Sequence, residues 1–235
     1  EGIALISSIT PDRYHSPAVG RMLLTNDAVK PRWFDARKSI LLPQMDSAPL
    51  LIPGFTPLPA GLEKYFATAE LKSSLPMRES DLDRPLDIYN VNRTAMSQDW
   101  QRHVKKLDAN FADAAHLLGY ELQTPEVGAA EEVQIVTLWE AQRPVEDAVI
   151  FVHVVAPDGG EPFAQADQIG VPGSAWQHGD LFVHIHQFEI PEDTPSGRYP
   201  LAAGIYNQED GERLPLVGGS QAGDSYTFAQ LTVRP

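Results

Sequence analysis

The sequence predicts an α+β chain in two parts, a small α/β layer domain followed by an antiparallel immunoglobulin-like β-sandwich. Three observations carry this. Val133–Val155 reads VQIVTLWEAQRPVEDAVIFVHVV, two β-branched and aromatic runs around a polar Arg-Pro break. Runs of this kind are strands buried on at least one face. From about Asn110 onward similar runs recur at roughly 8–12-residue spacing with turn residues between them, the rhythm of a sandwich. Before that point, apolar strands alternate with short helical stretches, as in a layered α/β unit.

The N-terminal part spans residues 1–93. Gly2–Ser8 is a continuous apolar strand, suited to the middle of a sheet. Ser16 followed by Pro17 is an N-cap with proline at the first helical position, and a helix runs from there to about Asn26. Arg32–Asp35, Ser39–Leu42 and Pro49–Ile52 are short strands. A helix covers Ala60–Thr68 with Leu62, Tyr65 and Phe66 on one face. Ser73–Asp83 is polar and broken by Pro76, so it reads as a loop, and Leu86–Val91 is the last strand. Residues 94–106 form a linker or short helix, with Met96, Trp100 and Val104 four residues apart.

The sandwich spans residues 107–235. Ala114–Gln123 is followed by the two strands of Val133–Val155. Pro157-Asp158-Gly159-Gly160 is a hairpin turn, and Pro162–Gln168 is its return strand. Val171–Gly179 is an irregular loop carrying Trp176. Asp180–Ile190, Arg198–Tyr206, Arg213–Val217 and Tyr226–Val233 complete the set.

Charge breaks at the same place. Residues 1–106 hold 14 of the 18 Lys and Arg and 12 of the 32 Asp and Glu, while residues 107–235 hold 4 and 20. The acidic half repels phosphate backbones, which argues against nucleic acid as a partner. The two halves are expected to pack through complementary charge, with apolar contacts from Trp100 and Val104. The chain contains no cysteine, so disulfides and thiolate metal sites are excluded. It has no run of 18 apolar residues, and it opens at Glu1 without a methionine, as a piece of a longer or processed chain would.

The candidate sites are few. Asp12-Arg13-Tyr14-His15 lies just past the carboxyl end of the first strand, where α/β folds bind ligands. The alternative there is a turn whose side chains satisfy only the backbone. Trp33, Trp139 and Trp176, with Tyr14, Tyr120 and Tyr206, could stack on sugar rings, and Trp176 in its loop is the strongest of these. The competing reading is core packing for Trp139 and Trp176. His184 and His186 share one strand face, and with His153 or His178 they suggest zinc. The plainer reading is two imidazoles on a solvated face, because a metal needs three or four converging ligands. No catalytic residue, metal or cofactor is assigned.

The runs FVHVVAPDGGEPFAQAD, SAWQHGD and IPEDTPSGRYPLAAGIYNQEDGERLPL resemble a β-sandwich of bacterial envelope proteins. They are similar to the soluble tails of multi-pass glycosyltransferases of the mannosyltransferase-like family 39 group. The earlier run PRWFDARKSILLP with APLLIPGFTPLP and LEKYF is similar to the α/β segment that precedes the sandwich there. The resemblance implies an extracytoplasmic, non-catalytic accessory region of a membrane glycosyltransferase, contacting glycan or acceptor. It would be anchored through a membrane region outside this sequence. Two alternatives are a free-standing carbohydrate-binding or adhesion module, and a small hydrolase or transferase using the Asp12–His15 loop.

Overall fold

The computed structural model describes residues 2–8, 29–76, 78–80, 84–156 and 160–235. The Asp12–His15 loop, the helix expected up to Asn26 and the tip of the 157–160 turn lie outside them. The N-terminal elements are β1 (Gly2–Ser7), β2 (Val29–Phe34), β3 (Ser39–Leu42), β4 (Ser47–Pro53), α1 (Ala60–Glu63) with a 3-10 turn (Lys64–Phe66), β5 (Glu70–Leu75), β6 (Leu86–Asn92) and α2 (Arg93–His103). Then follow β7 (Lys105–Phe111), β8 (Ala115–Leu122), β9 (Glu126–Val127), β10 (Glu132–Ala141), β11 (Ala148–Val155), β12 (Pro162–Gln168), β13 (Leu181–Glu189), β14 (Gly197–Asn207) and β15 (Tyr226–Val233).

These strands form three five-stranded sheets, in the orders β2-β1-β4-β6-β5, β3-β13-β10-β8-β7 and β12-β11-β14-β15-β9. The first is mixed: β1 is parallel to β2 and β4, and β6 is antiparallel to β4 and β5. In the second every pair is antiparallel. The third is antiparallel except for the short β9 alongside β15.

The second sheet is covered on both faces, which explains the unbroken apolar run read in β10 and the burial of Leu181 through His186. In the β10–β13 register Thr137 faces His184, Ile135 faces His186 and Trp139 faces Phe182. That face meets the third sheet, where Tyr120 of β8 packs on Phe228 of β15 with ring centres 4.9 Å apart. The opposite face, with Ile185, meets α1 and α2. Gly61 of α1 sits so close that an added Cβ would lie 2.4 Å from Ile185 Cδ1. Val104, just past α2, presses on Gly119 in the same way. The 3-10 turn beyond α1 reaches back to the first sheet, Phe66 packing on Tyr89 at 4.8 Å.

α2 starts where Asn92 Oδ1 accepts the Ala95 amide, an N-cap, and ends with Arg102 and His103 in its last turn. β7 follows at Lys105, at the end of the 94–106 stretch expected as a linker or short helix, most of which is α2. β5 occupies part of the expected Ser73–Asp83 loop. It is an edge strand paired only with β6, and its residues are exposed apart from the half-buried Ser73. Its polar sequence carries no burial period, so only backbone pairing marks it as a strand. The expected Arg213–Val217 strand is reduced to isolated bridges, Arg213 with Tyr206 and Leu216 with Phe111.

Hydrogen bonding crosses from the N-terminal elements into the sandwich. β3 forms the edge of the second sheet, Leu42 opposite Leu181 and Ser39 opposite His184. Arg32 of β2 donates through both guanidinium NH2 groups to both oxygens of Asp180, at 2.7 and 2.5 Å, and also to the Ala175 carbonyl. Arg32 is 5% exposed and Asp180 1%. Arg93 donates to the carbonyls of Leu42, Pro43 and Gly179. On the α1 side, Lys64 pairs with Glu121. The cations come from the basic half and the carboxylates from the acidic half, as complementary packing requires.

Replacing Arg32 with Ala leaves a buried carboxylate without its cation, which costs about 3–5 kcal/mol. Urea unfolding should show that loss. Arg32→Met with Asp180→Leu should recover most of it, since apolar residues of similar volume replace buried pairs well. A loss below about 1 kcal/mol in Arg32→Ala would mean that the pair does not hold β2 to the sandwich.

Candidate functional site

The parallel strands β1, β2 and β4 place their carboxyl ends on one edge of the first sheet. β1 lies between β2 and β4 and is parallel to both. The described part of that edge is tightly tied. Ser7 Oγ donates to Thr56 Oγ1 at 2.7 Å and accepts the Ala36 amide, and the buried Asp35 holds Arg37 through two hydrogen bonds.

Beyond the end of β4 lies a groove of about 450 Å³. Its floor is Ile52, Pro53 and Leu58, and its wall is the edge-to-face pair of Phe66 and Tyr89. Glu63, Arg84 and Asp87 stand around the opening. Asp87 accepts the Ser74 hydroxyl at 2.6 Å. Among the described residues, Glu63, Arg84 and the Tyr89 hydroxyl have no side-chain hydrogen-bond partner. Burial, and the Asp87 carboxylate nearby, keep the Tyr89 hydroxyl above its ordinary pKa and so protonated as a donor. Gly54 makes the groove possible: an added Cβ would lie 2.0 Å from the Arg84 carbonyl oxygen.

Other polar clusters are internally satisfied. Tyr65 Oη donates to Glu121, and Gln123 reaches both Glu121 and the Gly61 carbonyl. Burial alone would push the Glu121 carboxyl up, but its hydrogen bonds from Lys64, Tyr65 and Gln123 hold it below the usual range. On the outer face of the third sheet, Asp167 bonds the His153 ring at 3.0 Å and accepts from Tyr206 at 3.4 Å. Phe151 stacks on His153, with Arg213 over its ring at 4.7 Å. Burial pushes the His153 imidazole down, and Asp167 opposes this only in part.

The imidazoles of His184 and His186 do not lie on a solvated face, as the plainer reading of this strand had them. They are 1% and 0% exposed, because β13 is central and covered on both sides. Their ring centres are 4.6 Å apart. One ring nitrogen of His186 bonds the Thr137 hydroxyl at 2.9 Å, and that hydroxyl also accepts from Trp139. Among the described residues no three His, Asp or Glu side chains converge as metal ligands.

The tryptophans are not brought together as a platform. Trp139 is buried, with its ring tilted against Phe111. Trp176 is 1% exposed, donates to the Val171 carbonyl and packs against Phe182, so it offers solvent no face. Asp12, Arg13, Tyr14 and His15 lie outside the described residues. The sequence reading missed the Glu63–Arg84–Tyr89 groove. Its only sequence signal was Gly54 between two prolines, just after a strand.

No family model matches the chain, and no curated protein matches it. Among solved structures it is similar to the C-terminal domain of Wzt, at 16% identity and a TM-score of 0.39 over 57% of this chain and 81% of that one. A Niemann-Pick type C2 protein from Japanese carpenter ant matches at 10% identity and 0.33, over 55% of this chain and 96% of that one. A family 123 glycoside hydrolase from Clostridium perfringens matches at 11% and 0.27, over 54% of this chain and 26% of that one.

Gly54→Ala should distort the groove at a cost of about 1–3 kcal/mol, the usual range for overpacking, because the opposing atom is backbone and cannot rotate away. Thermal unfolding reads the cost. Wild-type stability in this variant would show that the Arg84–Pro85 backbone yields freely and that the groove has no fixed shape.

Proposed function

We propose that the chain is a non-catalytic, extracytoplasmic accessory region of a membrane glycosyltransferase, and that it contacts a saccharide of the glycan or acceptor. The observation that carries this is the groove at the carboxyl end of β4. An aromatic pair lines one wall, and around the opening stand a carboxylate, a guanidinium and a phenol that have no side-chain hydrogen-bond partner among the described residues. Aromatic faces suit the C–H faces of pyranose rings, while convergent polar groups fix hydroxyls. Glu63 accepts from hydroxyls, Arg84 donates to them, and Tyr89 does either. The volume suits one or two sugar rings, at the small end of ligand pockets. Among the described residues the groups in the groove suit recognition through hydrogen bonds.

Titration of the chain with neutral pyranosides and short oligosaccharides, followed by amide chemical shifts, tests this. Shifts should map to residues 52–58, 63–66 and 84–89. Tyr89→Ala should weaken binding about tenfold, and Glu63→Gln by a similar factor, since a hydrogen bond to a charged group contributes about 1.5–3 kcal/mol. No shift at about 10 mM sugar, or binding untouched by both substitutions in folded protein, would end the saccharide reading. The coding sequence upstream separates an appended region from a free-standing module, since only the former is preceded by membrane spans.

A further inference from the structure

His184 and His186 are fully buried, and among the described residues three of their four ring nitrogens have no hydrogen-bond partner. Neither ring nitrogen of His184 has a hydrogen-bond partner among the described residues, nor does Nδ1 of His186 or the neighbouring Ser39 hydroxyl. Buried polar atoms are almost always satisfied, and each exception calls for a reason. These four atoms lie together, where β3 closes one side of the sandwich. Ser39 of β3 stands opposite His184 in the register, and Gly170 covers both: a Cβ there would meet Ser39 Cβ at 2.6 Å and His184 Nε2 at 3.3 Å.

We infer that the His184–His186 pair makes this side of the sandwich an acid-sensitive latch, in which protonation of the pair releases β3 and the covering 169–176 segment while the third sheet stays folded. A charged imidazole needs a carboxylate or water. The carboxylates on the surrounding elements are committed, Asp35 to Arg37, Asp180 to Arg32 and Asp167 to His153. The charges that act on the pair are repulsive, Lys38 toward His184 and His153 toward His186, and the two imidazoles oppose each other. β10 offers only the Thr137 hydroxyl, already shared with Trp139, and β12 offers the backbone carbonyl of Ala166. Among the described residues no uncommitted carboxylate is left to pair a second charge there, and water reaches the rings only if their cover lifts.

β3 is an edge strand of four residues. The covering segment is tied by Asp35 N to the Gly170 carbonyl, Val145 N to the Gly173 carbonyl, Trp176 to Val171 and the Arg32 guanidinium to the Ala175 carbonyl. By contrast, β11 and β14 pair along seven residues within the third sheet. Burial is the main cause that holds both imidazoles neutral, His184 well below the ordinary histidine value and His186 at about 3. In the opened form both return toward about 6.5. The closed form therefore keeps its full advantage above about pH 6.5 and loses it steadily as pH falls toward 3.

Amide hydrogen exchange on the full chain between about pH 7 and pH 5, corrected for intrinsic rates, reads the latch. Protection in Ile40–Leu42 and Phe182–His184 should fall about tenfold per pH unit for each proton taken up, while Leu201–Ile205 of β14 stays protected. His184→Leu removes one proton and should flatten the slope. If that variant does not fold, imidazole nitrogen shifts in the wild type decide, and both rings should titrate in step with the loss of β3 protection. Flat protection at β3, simultaneous loss in β14, an unchanged slope in His184→Leu, or rings still neutral while β3 opens would each overturn the latch.

Discussion

A β-sheet buried on both faces leaves its strands no side on which to place polar groups in water. The second sheet of this protein is under that constraint, and much of the structure follows from it. One face of β10 and β13 needs the third sheet, and the other needs α1, α2 and the first sheet behind them. The chain therefore does not end its tertiary contacts at the charge break near residue 106. β3 is drawn in as the edge strand, and Arg32 and Arg93 follow with guanidinium groups that satisfy Asp180 and the carbonyls around the join.

The same constraint governs the polar side chains that remain inside. Thr137, Trp139 and His186 share one hydroxyl, which gives each a partner. Asp180 has two donors from Arg32 and the Gln177 amide. His184 has no such arrangement among the described residues, although β13 is buried around it. Removing buried polar groups from water costs on the order of 1–3 kcal/mol each when no bond replaces the lost solvation. That cost is concentrated beside the shortest edge strand of the sheet, where relief by solvent requires the smallest rearrangement.

The groove beyond β4 sits away from this double-covered layer. It lies at the end of the first sheet, where turns and a short helix approach one another without interdigitating. Its shape depends on Gly54 admitting the Arg84 carbonyl and on Phe66 meeting Tyr89. The outer face of the third sheet is polar too, but there Asp167 gathers His153 and Tyr206 into one another. Among the described residues, Glu63, Arg84 and the Tyr89 hydroxyl line the groove without a side-chain hydrogen-bond partner, and the proposed saccharide contact rests on them.

Much of this was legible in the amino-acid order. Period-two alternation and unbroken β-branched runs located β3, β11, β12 and β15 almost to the residue, because burial of alternating side chains is a local property of the chain. The break in charge foretold which half would supply cations to the contacts between them. Three features were not legible. β5 and β7 are polar edge strands whose identity rests on backbone pairing with β6 and β8, and backbone groups are the same in every sequence. Trp176 looks the same on paper whether it stacks on a sugar or on Phe182. The burial of His184 and His186 could not be read from β13 alone. Alternation says which residues share a face, but only the packing of two further layers decides whether that face meets water.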